Sequence, residues 1–150
     1  MRATRVVYLD TSALLKRYVP EANSTAFEQF LQTCVPASIS RLTFVEVRSA
    51  LARKRRENHI DADREQAAAE ELRHDVLDGL LTVAPAYDRH FVEAMHLIER
   101  FPELPLRTLD ALHLALARDM DAQRLATADS IMAKAAAELN LQVVFFGKIS

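Results

Sequence analysis

Short apolar runs alternate along this chain with longer stretches of helical periodicity, and this alternation limits the possible folds more than any other feature. Apolar runs of four or five residues are typical of buried strands, whereas apolar residues that repeat every three or four positions are typical of helices. The pattern predicts strands at residues 6–9, 35–39, 81–84, 124–127 and 142–146. It predicts helices at residues 12–18, 24–33, 42–57, 62–77, 85–100, 108–120 and 130–139. Because parallel neighbouring strands need crossover connections, this order favours an α/β domain with a mostly parallel sheet of about five strands.

Glycine is scarce: the 150 residues contain two, Gly79 and Gly147. A chain of this length, half of it apolar, is typical of one domain, residues 1–150, that can bury a core. Backbone loops that bind phosphate need several nearby glycines, because the chain must approach the anion closely. The sequence therefore excludes the common glycine-rich phosphate loops, and any phosphate must be bound in another way.

Cysteine usage and hydropathy indicate the cellular compartment of the protein. Cys34 is the only cysteine, which excludes an internal disulfide and a thiolate metal cluster. No stretch approaches the roughly 18 apolar residues that a membrane span needs. We expect a protein without a membrane segment, located in the reducing cytoplasm.

The net charge of −2 gives the whole molecule no general attraction for nucleic acid, but the charge is unevenly spread. Residues 41–56 carry six basic side chains against the single acid Glu46. One interpretation is a solvated helix face. The alternative is a local basic strip, such as Arg53 to Arg56, that contacts phosphates.

Four acidic residues occupy notable positions. Asp10 follows the first predicted strand, and Asp129 follows the fourth. Asp110 lies in the first turn of the helix before the fourth strand, and Glu46 lies among apolar residues inside the third helix. At the carboxyl edge of a parallel sheet, all four carboxylates can come together.

Each acid also has a purely structural explanation. The two strand-end aspartates can be helix N-caps, and Asp110 can favour the positive end of its helix behind a Thr108 cap. Glu46 is costly to bury without a partner, so it needs an ion pair in the neighbourhood of Arg48 or a shared cation.

A cation explains the four acids jointly. Crowded carboxylates repel one another unless a positive charge neutralises them. Oxygen ligands without cysteine or paired histidine favour Mg²⁺ or Mn²⁺ over Zn²⁺. A cation held in this way can bind phosphate and activate a water molecule, which is the chemistry of phosphodiester hydrolysis.

Four segments containing these acids resemble the acidic motifs of the PIN-domain nucleases, in the same order and over nearly the entire chain. They read YLDTSALL at 8–15, FVEV at 44–47, LDALHLA at 109–115 and LATAD at 125–129. The length of the chain and the sequence DALHLA at 110–115 most resemble those of the VapC-type toxins of toxin–antitoxin pairs.

This resemblance implies a fold, an activity and a set of partners. The fold would be a PIN-like three-layer α/β/α domain with about five strands and about seven helices. The activity would be that of an Mg²⁺- or Mn²⁺-dependent endoribonuclease, and the partners would be a second copy in a homodimer and a small cognate antitoxin. By position, the metal-binding and catalytic acids would be Asp10, Glu46, Asp110 and Asp129, supported by the hydroxyl residues Ser12 and Thr127.

His113 follows Asp110 by three residues and so lies close to it on the same helix. This position is compatible with a role as a metal ligand or a general base. We expect a packed or partly exposed histidine instead.

Two other functions fit parts of the pattern. A signalling receiver domain shares the α/β alternation and a late lysine, here Lys148, but residues 81–85 offer no aspartate at the end of the third strand. A non-catalytic binding module would use its acids only as caps. A haloacid-type phosphatase fits poorly, because Ser12 stands where its second aspartate is expected.

Overall fold

The computed structural model describes residues 5–149, and its secondary structure follows the predicted alternation. The strands are β1 Val7–Leu9, β2 Ala37–Ser40, β3 Leu81–Ala84, β4 Arg124–Thr127 and β5 Gln142–Phe145. The helices are α1 Thr11–Tyr18, α2 Ser24–Cys34, α3 Arg41–Arg56, α4 Ala62–Leu77, α5 Asp88–Arg100, α6 Thr108–Asp119 and α7 Ser130–Glu138. Within the described range, the predictions of about five strands and about seven helices are confirmed.

All five strands form one parallel sheet in the order β3-β2-β1-β4-β5. The pairing of β1 with β4 places Tyr8 opposite Leu125, and the Asp10 amide continues it with a 2.9 Å hydrogen bond to the Ala126 carbonyl. Successive strands are added on one side of β1 and then on the other, so the strand order reverses between β1 and β4. In open α/β sheets, ligands bind outside the carboxyl ends of the strands at such a reversal.

The strand order also decides against the signalling alternative. Receiver domains use the order 2-1-3-4-5, in which the third strand lies beside the first. Here β4 takes that place, and β3 lies at the edge of the sheet. The receiver interpretation is therefore wrong.

Helices cover both faces of the sheet, as a fully parallel sheet requires. Val7 and Leu9 point into a core shared with α1 to α4, whereas Tyr8 points into a second core built with α5, α6 and α7. This alternation along β1 gives the three-layer arrangement. None of the helices in residues 5–149 is long and apolar enough to cross a bilayer.

Two helix starts test the capping rules. Asp61 caps α4 as its sequence position suggests, since its carboxylate accepts the Arg64 amide at 2.7 Å. The predicted start of α5 at Pro85 is wrong, because the helix begins at Asp88. Tyr87 has extended backbone, and its amide donates to His90 Nδ1 at 2.9 Å, which satisfies a donor outside the helix.

A bidentate ion pair joins the first helix to the fourth. Arg17 Nε and Nη2 donate to the two Asp75 oxygens at 2.8 and 3.1 Å, and the Tyr18 hydroxyl donates to Asp75 Oδ2 at 2.6 Å. The Asp75 side chain is 13% exposed, so its charge depends on these donors.

We predict that Asp75→Asn lowers the free energy of unfolding by about 2–3 kcal/mol, because it leaves the half-buried Arg17 without its main counter-charge. Urea denaturation measures the change. The matched control Asp78→Asn, at the exposed end of the same helix, should stay within about 0.5 kcal/mol of wild type. Equal effects of the two substitutions would show that the ion pair contributes nothing.

Candidate active site

Asp10 lies at the carboxyl end of β1 and is almost fully buried. It occupies the N-cap position of α1, yet its side chain makes no capping hydrogen bond. Its Oδ2 instead accepts the hydroxyls of Ser12 at 2.6 Å and Thr127 at 2.8 Å. The capping interpretation is therefore wrong for Asp10, and both hydroxyl residues contact the acid that they were expected to support.

Asp129 caps α7 with one oxygen and faces the site with the other. Oδ1 accepts the amides of Ile131 at 2.8 Å and Met132 at 3.0 Å, which confirms the predicted cap. Oδ2 accepts from Arg107 Nη2 at 3.1 Å. The helix terminus therefore fixes this carboxylate through Oδ1 and leaves Oδ2 facing the site, where it contacts Arg107.

Asp110 lies in the first turn of α6, where Arg107 rather than the expected Thr108 is the N-cap residue. Its Oδ2 accepts from the Arg107 backbone amide and from Arg107 Nε, both at 3.3 Å. Burial and then the charge of Asp129 raise the pKa of Asp110, and Arg107 offsets them only in part. Asp110 is therefore ionised against the cost of its burial and of a like-charged neighbour.

Glu46 reaches the same region from α3. The expected partner near Arg48 is wrong, because that side chain is exposed, and Glu46 instead accepts from Thr11 Oγ1 at 2.7 Å and from His113 Nε2. Burial alone would raise the pKa of Glu46, but the hydrogen bonds and charge of these partners outweigh it and lower the pKa. Glu46 is thus held as a carboxylate.

His113 is completely buried on α6 and links two acids to the core. Its Nε2 contacts Glu46 and lies 3.8 Å from Asp10 Oδ1, while its Nδ1 lies 2.6 Å from the Tyr8 hydroxyl. Tyr8 in turn donates to Ser40 Oγ at 3.0 Å. Burial opposes protonation, but the hydrogen bond to Glu46 and the surrounding carboxylates prevail and raise the pKa of His113. The expectation of a packed histidine is confirmed, but the contact with Glu46 was not expected.

All four predicted acids line one cleft of about 490 Å³ at the carboxyl edge of the sheet. Arg53, seven positions after Glu46 on α3, and Arg107 also line it. The acids are held in two pairs, one beside His113 and the other bridged by Arg107.

The donors suit a hard divalent cation, because they are carboxylate oxygens without thiolate. These carboxylates do not converge on one point. Within residues 5–149, no three acidic, histidine or cysteine side chains form a group that could hold a metal ion. The chemistry of the donors fits such an ion, and Arg107 occupies the space between two of them.

Sequence reasoning missed four residues of this site: Tyr8, Thr11, Arg107 and His113 as a hydrogen-bonding residue. Thr11 immediately follows Asp10, and Arg107 and His113 lie three positions before and after Asp110. Adjacency was the available signal, but which side chain turns toward the acid depends on packing between distant segments.

Comparisons with known proteins identify the family of this chain. The family model described as PIN domain matches residues 7–138. Ribonuclease VapC46 of Mycobacterium tuberculosis (strain ATCC 25618 / H37Rv) is 34% identical over 142 residues, which cover 92% of this chain and 95% of that protein. The chain belongs to the PIN domain family.

Solved structures share the fold at low sequence identity. Mycobacterium tuberculosis VapC20, a toxin that cleaves the sarcin-ricin loop, has a TM-score of 0.70 at 19% identity, covering 86% of this chain and 94% of its own. FitAcB from Neisseria gonorrhoeae has a TM-score of 0.70 at 17% identity, with coverages of 92% and 96%. A toxin-antitoxin complex from Klebsiella pneumoniae has a TM-score of 0.65 at 19% identity, with coverages of 95% and 99%. The PIN-like α/β/α fold is confirmed.

We predict that His113→Ala lowers the free energy of unfolding by about 3 kcal/mol, because it removes a hydrogen-bond partner from both the Glu46 carboxylate and the Tyr8 hydroxyl and leaves a cavity at a fully buried position. Chemical denaturation checks this. His96→Ala, at an exposed position of α5, is the control and should cost less than about 0.5 kcal/mol. A loss at His113 no greater than that of the control would contradict the network.

Proposed function

We propose that this protein is an Mg²⁺- or Mn²⁺-dependent endoribonuclease that acts as the toxin of a type II toxin–antitoxin pair in the cytoplasm. The observation that carries the proposal is the meeting of four carboxylates in one cleft, where the strand order reverses between β1 and β4. The 34% identity to a protein named as a ribonuclease supports the same activity.

The cation would be held by Asp10, Glu46 and Asp110, with Asp129 as a fourth donor. When bound, such an ion neutralises charge on the phosphodiester and lowers the pKa of a coordinated water. The protein's own contribution is orientation: Ser12 and Thr127 hold Asp10 in place. Partners of this kind commonly change metal affinity or activity by about 10–100-fold when removed.

RNA must approach this acidic cleft against its own charge, so local basic residues are needed. Of the predicted strip, Lys54 pairs with Glu21 and Arg55 pairs with Glu65. Arg53 lies in the cleft wall itself. We infer that Arg53 is the member of the strip that meets the RNA backbone nearest the site.

Exposed apolar side chains provide one surface for an antitoxin and another for a homodimer. Val45 and Leu109, at the mouth of the cleft, are 69% and 41% exposed, and we assign them to the antitoxin. A second stripe follows one face of α5, and we assign it to the homodimer, since a two-fold interface uses the same patch on both copies. The stripe consists of Tyr87, Phe91, Met95 and Ile98.

We predict that Asp110→Asn reduces RNA cleavage in the presence of Mg²⁺ or Mn²⁺ by at least about 100-fold and abolishes growth inhibition, while the circular dichroism spectrum stays unchanged. Asp88→Asn is the matched control, because Asp88 is the exposed acid in the first turn of the neighbouring helix α5. It should keep wild-type cleavage. Full activity of the Asp110 variant would refute the assignment.

For the homodimer, we predict that Phe91→Glu yields a monomer in light scattering, because a charge in a paired apolar stripe is left desolvated. His96→Glu, on the same helix but outside the stripe, should remain dimeric. A dimeric Phe91 variant would rule out this face.

A further inference from the structure

Arg107 is an exposed residue that contacts two of the acids in the cleft. Its side chain is 75% exposed, yet its guanidinium contacts two carboxylates whose side chains are only 11% and 23% exposed. Nε lies 3.3 Å from Asp110 Oδ2, and Nη2 lies 3.1 Å from Asp129 Oδ2. An exposed cation therefore bridges two acids at the starts of two different helices.

The two acids do not need this side chain to stay in place. The Arg107 backbone amide donates to Asp110, and the first turn of α7 holds Asp129 through Ile131 and Met132. Removal of the guanidinium would leave both carboxylates where they are, facing each other across the cleft without a counter-charge. The two carboxylates would then need another positive charge between them, and a cation from solution can supply it.

We propose that Arg107 is a resident counter-ion that a divalent cation displaces, so that the guanidinium and the metal occupy the space between Asp110 and Asp129 in turn. This inference rests on the proposed metal site. In the structure the guanidinium already occupies the position between two of the donors. An exposed ion pair is weak, so a divalent ion can replace it.

Removal of the Arg107 guanidinium distinguishes competition with the metal from a role in positioning the acids. If Arg107 competes with the metal, its removal strengthens metal binding. If Arg107 positions the acids for the metal, its removal weakens binding.

The test is calorimetric titration of Mn²⁺ into the metal-free protein at constant pH. We expect Arg107→Gln to bind Mn²⁺ about fivefold more tightly or better than wild type. Arg118→Gln is the matched control: it removes the same charge from the same helix, but Arg118 pairs with Glu93 outside the cleft. Its Mn²⁺ affinity should stay within about twofold of wild type, since charges beyond a Debye length are screened.

A second measurement uses thermal unfolding and involves no catalysis. Arg107→Gln should unfold at a lower temperature than wild type without metal, and Mn²⁺ should raise its unfolding temperature more than it raises that of wild type. Arg107→Lys keeps the charge without the planar fork, so its Mn²⁺ affinity should lie between the two. The lysine variant also preserves the test if the glutamine variant folds poorly.

Equal or weaker Mn²⁺ binding by Arg107→Gln would overturn the exchange while leaving the metal site intact. Failure of wild type to bind Mn²⁺, or unchanged binding by Asp110→Asn, would overturn the proposed metal site and the exchange with it.

Discussion

The placement of four carboxylates in the lining of one cleft is the constraint to which the rest of the site responds. Two of the acids face the buried His113, and the other two share the guanidinium of Arg107. These groups compensate incompletely, because four carboxylates face at most two positive charges on Arg107 and His113. A cleft with surplus negative charge and oxygen donors is suited to a divalent cation, and a divalent cation is what an acidic protein needs to bind phosphate.

The fold makes this crowding possible through the pairing of β1 with β4. That pairing places Asp10 beside Thr127, and it lies where the strand order reverses. Helix α6 then brings Asp110 and His113 to the same edge. Every residue from Asp110 to Ala117 is buried, so the helix is held rigidly between its neighbours. Such support keeps like charges close together at a fixed distance, which an exposed loop could not do.

The elements and the acids could be predicted from the sequence because their signals are local. An apolar run followed by Asp10, or a helical pattern beginning near Asp110, is visible within ten residues. The counter-charges could not be predicted, since Glu46 and His113 are 67 positions apart and meet only through packing. The predicted start of α5 was wrong for a local reason: the Tyr87 amide donates to His90 Nδ1, and the helix begins after Tyr87 rather than at the proline. Sequence patterns thus located the charges but not the groups that balance them.

Crystallography of the protein in Mn²⁺, with anomalous diffraction at the manganese edge, shows directly whether the four acids bind a metal ion. We predict an anomalous peak inside the cleft, in contact with oxygens of the four acids, and an Arg107 side chain displaced from between Asp110 and Asp129. A cleft without manganese at a concentration that supports RNA cleavage, with Arg107 still bridging the two carboxylates, would contradict it.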